Sequence, residues 1–173
     1  MEELEIKKQC YDYLNSLGIE FSVVDHEYAD TIEKCHEVEK DLGCKICKNL
    51  LLTNRQMTDV YLLMMPGDKP FKTKFLSSQL GCARLSFASP EQMMKYLNIK
   101  PGSLSVMGLI YDSGCAVRLI IDKDLLEEEY TGCHPCVNSS SMKIKTADIL
   151  NVFVPATHHT VTLVELPSEE NMT

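Results

Sequence analysis

Three short segments of this chain set polar side chains beside backbone that a small substrate could approach closely. In Cys44-Lys45-Ile46-Cys47-Lys48-Asn49-Leu50-Leu51-Leu52, a lysine and an asparagine stand immediately before an apolar run that reads as a strand. A strand start is rigid, so such a pair can be aimed. Lys48 offers a point charge on a flexible stem, suited to a phosphate, and Asn49 offers a donor and an acceptor, suited to an ester, a ribose or an amine. In Pro101-Gly102-Ser103-Leu104-Ser105-Val106-Met107-Gly108-Leu109, glycine lets a ligand come close to the backbone while serine supplies N–H and hydroxyl groups. In Gly132-Cys133-His134-Pro135-Cys136-Val137-Asn138, a loop marked by glycine and proline holds a histidine ahead of another polar strand. A histidine so placed can contact a ligand. Taken singly, each segment also fits an ordinary strand entrance or turn.

The cysteines raise a rival chemistry. Cys44-x-x-Cys47 and Cys133-x-x-Cys136 together make the ligand set of a tetrahedral four-cysteine zinc site, in the same segments just described. Neither pair is followed by a glycine-rich knuckle, and the 85 residues between the inner cysteines hold a substantial fold of their own. The expectation is therefore no cofactor, with zinc on these four cysteines as the alternative. A redox role is disfavoured because neither CxxC opens a helix after a strand, the arrangement that lowers a thiol pKa. Cys10, Cys35, Cys82 and Cys115 fall among apolar neighbours and read as core residues. His26, His36, His158 and His159 read as structural or surface residues.

These segments belong to a chain of 173 residues, 45% hydrophobic, enough for one real core and short for two. One domain over residues 1–167 is expected, with a disordered tail over 168–173. No run of about 18 apolar residues occurs, and the acidic start Met1-Glu2-Glu3-Leu4-Glu5 lacks the basic stretch of a secretory signal. A cytoplasmic protein without a membrane partner follows as the expectation, and with it thiols rather than a disulfide framework. The net charge of −8 argues against indiscriminate coating of nucleic acid. Its distribution is uneven, however: residues 42–100 carry nine basic and three acidic side chains, whereas the segments on either side are acidic. A basic middle inside an acidic chain suits a small, defined stretch of phosphate.

The elements that must position these groups read as interleaved helices and strands. Leu4, Ile6, Cys10, Tyr13, Leu14 and Leu17 recur at helical spacing and Gly18 follows as a cap. Ile19 to His26 reads as a strand, and Asp30-Thr31 offers a cap for a helix running to Leu42. Asn49–Thr53 and Val60–Met65, separated by a polar turn, predict a hairpin. Phe71, Phe75, Leu76 and Leu80 are spaced as a helix, and Ser89-Pro90-Glu91 opens another that ends near Leu97. Strands are expected over Leu104–Tyr111, Ala116–Ile121, Val137–Ile144 and Val161–Leu166, with a short helix over Ala147–Phe153 capped by Thr146. The pattern lacks strict βαβ alternation and predicts an α+β domain with a mixed, curved, barrel-like sheet and helices on its outside.

The segments Lys48-Asn49-Leu50-Leu51-Leu52, Pro66-Gly67-Asp68-Lys69, Arg84-Leu85-Ser86-Phe87-Ala88-Ser89-Pro90-Glu91, Pro101-Gly102-Ser103 and Gly132-Cys133-His134-Pro135 with Asn138 occur in one order over nearly the whole chain. In that order the chain resembles the YbaK and prolyl-tRNA-synthetase-associated editing family, most of all its free-standing ProX-type deacylases of alanyl-tRNA for proline. Val106-Met107 departs from that pattern, where many relatives carry proline and an apolar residue before the glycine. The resemblance implies a trans-editing hydrolase acting on the aminoacyl ester at the tRNA 3′ end, with alanine as the expected amino acid. A cysteinyl-tRNA deacylase and a non-catalytic tRNA- or synthetase-binding module are the alternatives. It implies Lys48, Asn49 and His134 as catalytic residues. Gly102, Ser103, Leu104, Gly132 and Asn138 would bind substrate, and the tRNA 3′ end, the acceptor stem and prolyl-tRNA synthetase would be partners.

Overall fold

The computed structural model describes residues 2–29 and 31–169. Its centre is strand β3 (Val60–Met65), buried along its whole length, as an apolar run covered on both faces must be. Strand β2 (Lys48–Thr53) pairs with it antiparallel to form the expected hairpin, with Asn49 opposite Met64. On its other side β3 pairs parallel with β5 (Val117–Asp122), and β5 pairs parallel with β8 (Val161–Val164). The short β4 (Ser86–Phe87) lies along the outer side of β2. The resulting mixed sheet has the order β4-β2-β3-β5-β8.

A second, three-stranded antiparallel sheet holds β7 (Ser140–Lys145) between β1 (Phe21–Asp25) and β6 (Tyr130–Cys133). The sheets touch through one parallel bridge, Ile46 to Gly132, with Cys47 N–H donating to the Gly132 carbonyl at 2.8 Å and Gly132 N–H to the Lys45 carbonyl at 2.9 Å. That approach requires glycine: a Cβ on Gly132 would stand 2.8 Å from the Lys45 oxygen and 3.0 Å from Ile46 Cα. The expected α+β architecture with a mixed sheet is present, but as two sheets pinned at one bridge rather than a closed barrel.

Alternation along β3 sorts the core into two layers. Val60, Leu62 and Met64 face one cluster, which also takes Ile6, Cys10 and Leu14 from helix α1 (Glu3–Ser16) and Cys133, Met142 and Ile144 from the second sheet. Tyr61, Leu63 and Met65 face the other, with Leu76 from helix α3 (Thr73–Leu80). Helix α2 (Ile32–Leu42) starts on Thr31, whose hydroxyl accepts from Lys34 N–H, and ends on left-handed Gly43. The other half of the expected cap, Asp30, lies outside the described residues. Helix α4 (Pro90–Leu97) has a complete capping box of Ser89 and Gln92.

Several local expectations also differ from the structure. Leu104–Tyr111 is not a strand: Val106–Tyr111 forms a 3-10 helix capped by the Ser105 hydroxyl, and the uniformly apolar run carries no period that separates the two. Thr146 does not cap; it lies inside the last helical stretch, with its hydroxyl paired to that of Thr131 at 2.8 Å. Cys115 is exposed at a positive φ rather than in the core, while Cys10 is buried as expected. Of the tail expected from Ser168, residues 170–173 lie outside the described residues.

Candidate active site

Beside β2, on the side of the core cluster that takes Val60, Leu62 and Met64, opens a cavity of about 250 Å³ lined by Cys47, Asn49, Leu50, Leu51, Phe87, Ala88, Met93, Gly102, Leu104 and His134. Segments separated by up to 87 residues in sequence therefore meet there. Asn49, Gly102, Leu104 and His134, all expected from sequence, share its wall. Ser103 and Asn138 line a neighbouring cavity of about 440 Å³ that touches the first through Gly102. Gly132 lines neither; it sits on β6 rather than in a loop and serves the junction of the sheets.

Asn49 carries the clearest chemical signal. Its Nδ2 donates to Cys47 Sγ at 3.3 Å, while its Oδ1 is buried without a hydrogen-bond partner. A buried acceptor left open costs on the order of 1–3 kcal/mol and calls for a functional reason. The residue that carries this acceptor lines the cavity.

His134 sits half-buried in the loop between β6 and β7, with Nδ1 2.9 Å from the Ser140 carbonyl. A carbonyl only accepts, so Nδ1 carries the proton and Nε2 is left as the free acceptor. Burial pushes the imidazole below its ordinary 6.5, a tendency only partly opposed by the Ser140 carbonyl and reinforced by His26. Neutral imidazole is thus the resting form. His26 was read from sequence as structural, yet its Nε2 lies 2.9 Å from Ser141 Oγ, which in turn lies 3.4 Å from His134 Nδ1. With its own Nδ1 2.6 Å from the Glu27 carbonyl, His26 accepts the Ser141 hydroxyl proton and so orients the hydroxyl behind His134. No local motif exposes this contact, because it depends on β1 pairing with β7.

Lys48 is not part of the cavity wall. Strand alternation sends it to the face opposite Asn49, where its ammonium donates to the Lys69 carbonyl at 2.7 Å. Burial lowers its pKa below 10.5, with Asp68 opposing. One N–H is used, leaving two for an anion. Lys69 itself is fixed, buried against Asp122 at 2.7 Å and Asp124 at 2.8 Å. Burial lowers the Lys69 pKa, but its hydrogen bonds to the two carboxylates outweigh that and the net shift is upward.

The two CxxC pairs do not gather into a metal set: among the described residues no three His, Cys, Asp or Glu side chains are grouped to hold an ion. Cys47, Cys133 and Cys136 are buried, and Cys44 is half-buried. Burial pushes the Cys47 thiol up to about 12 and the Cys44 thiol to about 11, and raises Cys133 and Cys136 well above 9. Among the described residues no two cysteines are joined in a disulfide. His159, among the histidines expected to be structural or on the surface, is buried and lies 2.9 Å from Asp112. Among the described residues no helix is long and apolar enough to cross a membrane.

A small, mostly apolar cavity with one open amide acceptor and one neutral imidazole suits a hydrolase for a short acyl ester. The family-level comparison agrees, for the aminoacyl-tRNA editing domain matches residues 26–152. The chain belongs to this family, a class of hydrolases acting on aminoacyl-tRNA. It is 27% identical to the prolyl-tRNA editing protein ProX of Acetoanaerobium sticklandii, over 95% of this chain and 99% of that one. It is 28% identical to prolyl-tRNA synthetase associated domain-containing protein 1 of Danio rerio, over 91% of this chain and 85% of that one. Among solved structures, a candidate trans-editing enzyme for prolyl tRNA synthetase superposes with a TM-score of 0.71 at 15% identity, covering 96% of this chain and 99% of the other, a likeness of fold.

Proposed function

We propose that this protein removes a wrongly attached small amino acid, alanine first among them, from proline tRNA after the synthetase has released it. The observation that carries the reading is the buried, unpartnered Oδ1 of Asn49, a residue that lines one cavity together with His134. The aminoacyl group enters that cavity; its amine or the attacking water donates to Asn49 Oδ1, and the other hydrogen-bonds to His134 Nε2. Of this segment Gly102 lines the cavity, and its N–H is the backbone donor that stabilises the charge developing on the ester oxygen, the Ser103 N–H being taken by the Lys100 carbonyl at 3.1 Å. Water adds to the carbonyl carbon, the bond to the ribose oxygen breaks, and the products are the free amino acid and a tRNA with a free terminal hydroxyl. No protein nucleophile is required, because an aminoacyl ester is already activated and positioning of water supplies much of the barrier reduction.

Leu50, Leu51, Ala88, Met93 and Leu104 make the cavity wall apolar, which favours alanine over serine, since an unpaired hydroxyl is costly to bury. Lys48, across the strand, has two N–H groups free for the phosphate of the terminal nucleotide. Prolyl-tRNA synthetase fits this reading as a partner that delivers the mischarged tRNA. The test is single-turnover hydrolysis of alanyl-, cysteinyl- and prolyl-tRNA for proline by wild type and Lys48→Ala. Rapid loss of alanine, slow loss of proline and a large fall in the variant are expected; failure to hydrolyse any of the three would refute the reading.

A further inference from the structure

Three of the nine cations carried by residues 42–100 meet, in the fold, in a cleft of about 640 Å³ lined by Lys72, Thr73, Lys74, Ser77, Ser78 and Arg84. Its lining holds three cations and no carboxylate, in a protein of net charge −8. All three cations are exposed, and among the described residues none forms an ion pair. Like charges left together without neutralisation repel one another, so the cleft is best satisfied by an anion from outside.

Beside it stands Phe87, 61% exposed on β4, the edge strand of the larger sheet. Phe87 lines the acyl cavity and meets Phe71 edge-on, ring centres 6.0 Å apart. Phe71 directly precedes Lys72, and Arg84 is three residues before Phe87. Three residues of chain reach at most about 10 Å, the rise of about three stacked nucleotides. An exposed ring joined to a row of cations is the arrangement that holds unpaired bases and their backbone, whereas a duplex hides its base faces from such a ring.

We infer that this surface carries the single-stranded 3′ end of the tRNA: Phe87 stacks a terminal base at the mouth of the acyl cavity, and Lys72, Lys74 and Arg84 hold the phosphates behind it. The inference rests on the deacylase reading for the identity of the strand and adds the surface that brings the ester to Asn49 and His134.

The experiment is equilibrium binding of uncharged proline tRNA across a salt series, by wild type, the triple variant Lys72→Ala/Lys74→Ala/Arg84→Ala, Phe87→Ala and Phe87→Tyr. A second triple variant, Arg55→Ala/Lys95→Ala/Lys123→Ala, matches the charge change elsewhere on the surface. Each lost single-strand phosphate contact lowers the slope of log affinity against log salt by about 0.7, so the cleft triple should lose about 2 in slope while the matched triple keeps the wild-type value. Phe87→Ala should weaken binding by about tenfold, and Phe87→Tyr should restore it. Absence of tRNA binding, an unchanged slope in the cleft triple, or equal loss in the matched triple overturns the inference. So does a normal affinity in Phe87→Ala, which would assign the cations to duplex phosphates. Binding with the expected slopes but no hydrolysis overturns the deacylase reading alone; hydrolysis with unchanged slopes overturns the surface alone.

Discussion

Replacing Asn49 by leucine should make the protein more stable and nearly inactive at once. In the folded chain Asn49 Oδ1 is buried without a partner, and its amide makes one weak contact, Nδ2 to Cys47 Sγ at 3.3 Å. Burying an unsatisfied acceptor costs about 1–3 kcal/mol, while a hydrogen bond to a neutral thiol returns about 1 kcal/mol or less. Leucine has a similar shape and joins Leu50, Leu51 and Leu104 on the cavity wall, so its own burial is favourable. The net gain is about 1 kcal/mol, which for a chain of this length raises Tm by about 2–4 °C. In the bound state the same substitution deletes an acceptor for an amine or water; a hydrogen bond to a charged donor contributes about 1.5–3 kcal/mol, so kcat/KM should fall by about 10- to 150-fold. Thermal denaturation and single-turnover deacylation on one preparation read both effects. A variant that loses more than about 2 kcal/mol would refute the argument, because Oδ1 would then be satisfied in the free protein. Full activity would equally refute it, since the open acceptor would have no task.

Two further outcomes follow from groups already described. If His134 acts as proposed, in its neutral form, burial holds its pKa below 6.5, so the acid limb of kcat/KM should fall below that pH, and His134→Gln should abolish the limb along with most of the rate. A limb centred above 6.5 would contradict the burial argument. Lys69→Met leaves Asp122, fully buried, without its cation and should cost about 3–5 kcal/mol in chemical denaturation. Adding Asp122→Asn should recover part of that loss, and a single variant as stable as wild type would show that the pair contributes nothing.

The parts of this fold that sequence reveals are those with a local cause. Ser89-Pro90-Glu91 announces α4, and Thr31 with Gly43 brackets α2, because caps act within a few residues. The β2–β3 hairpin is legible from two apolar runs and a polar turn. Long-range contacts leave no such trace. The contact from His26 through Ser141 to His134 exists only after β1 and β7 pair, and the fate of the two CxxC pairs is decided by core packing rather than spacing. The same limit governs Lys48 and Asn49. As neighbours they read as one unit, and in an alternating strand the opposition of their side chains would be plain. In β2, where apolar residues cover both faces, the sequence hides the alternation that separates them. Their separation is informative about the substrate. Two side chains on opposite faces of one strand can touch one molecule only if it wraps over the strand's start, with its acyl end at Asn49 and its phosphate at Lys48. The carbonyl of Lys69 holds the ammonium at that start. An aminoacyl nucleotide, with its small acyl group and its phosphate on either side of a ribose, has the shape that such a divided site requires.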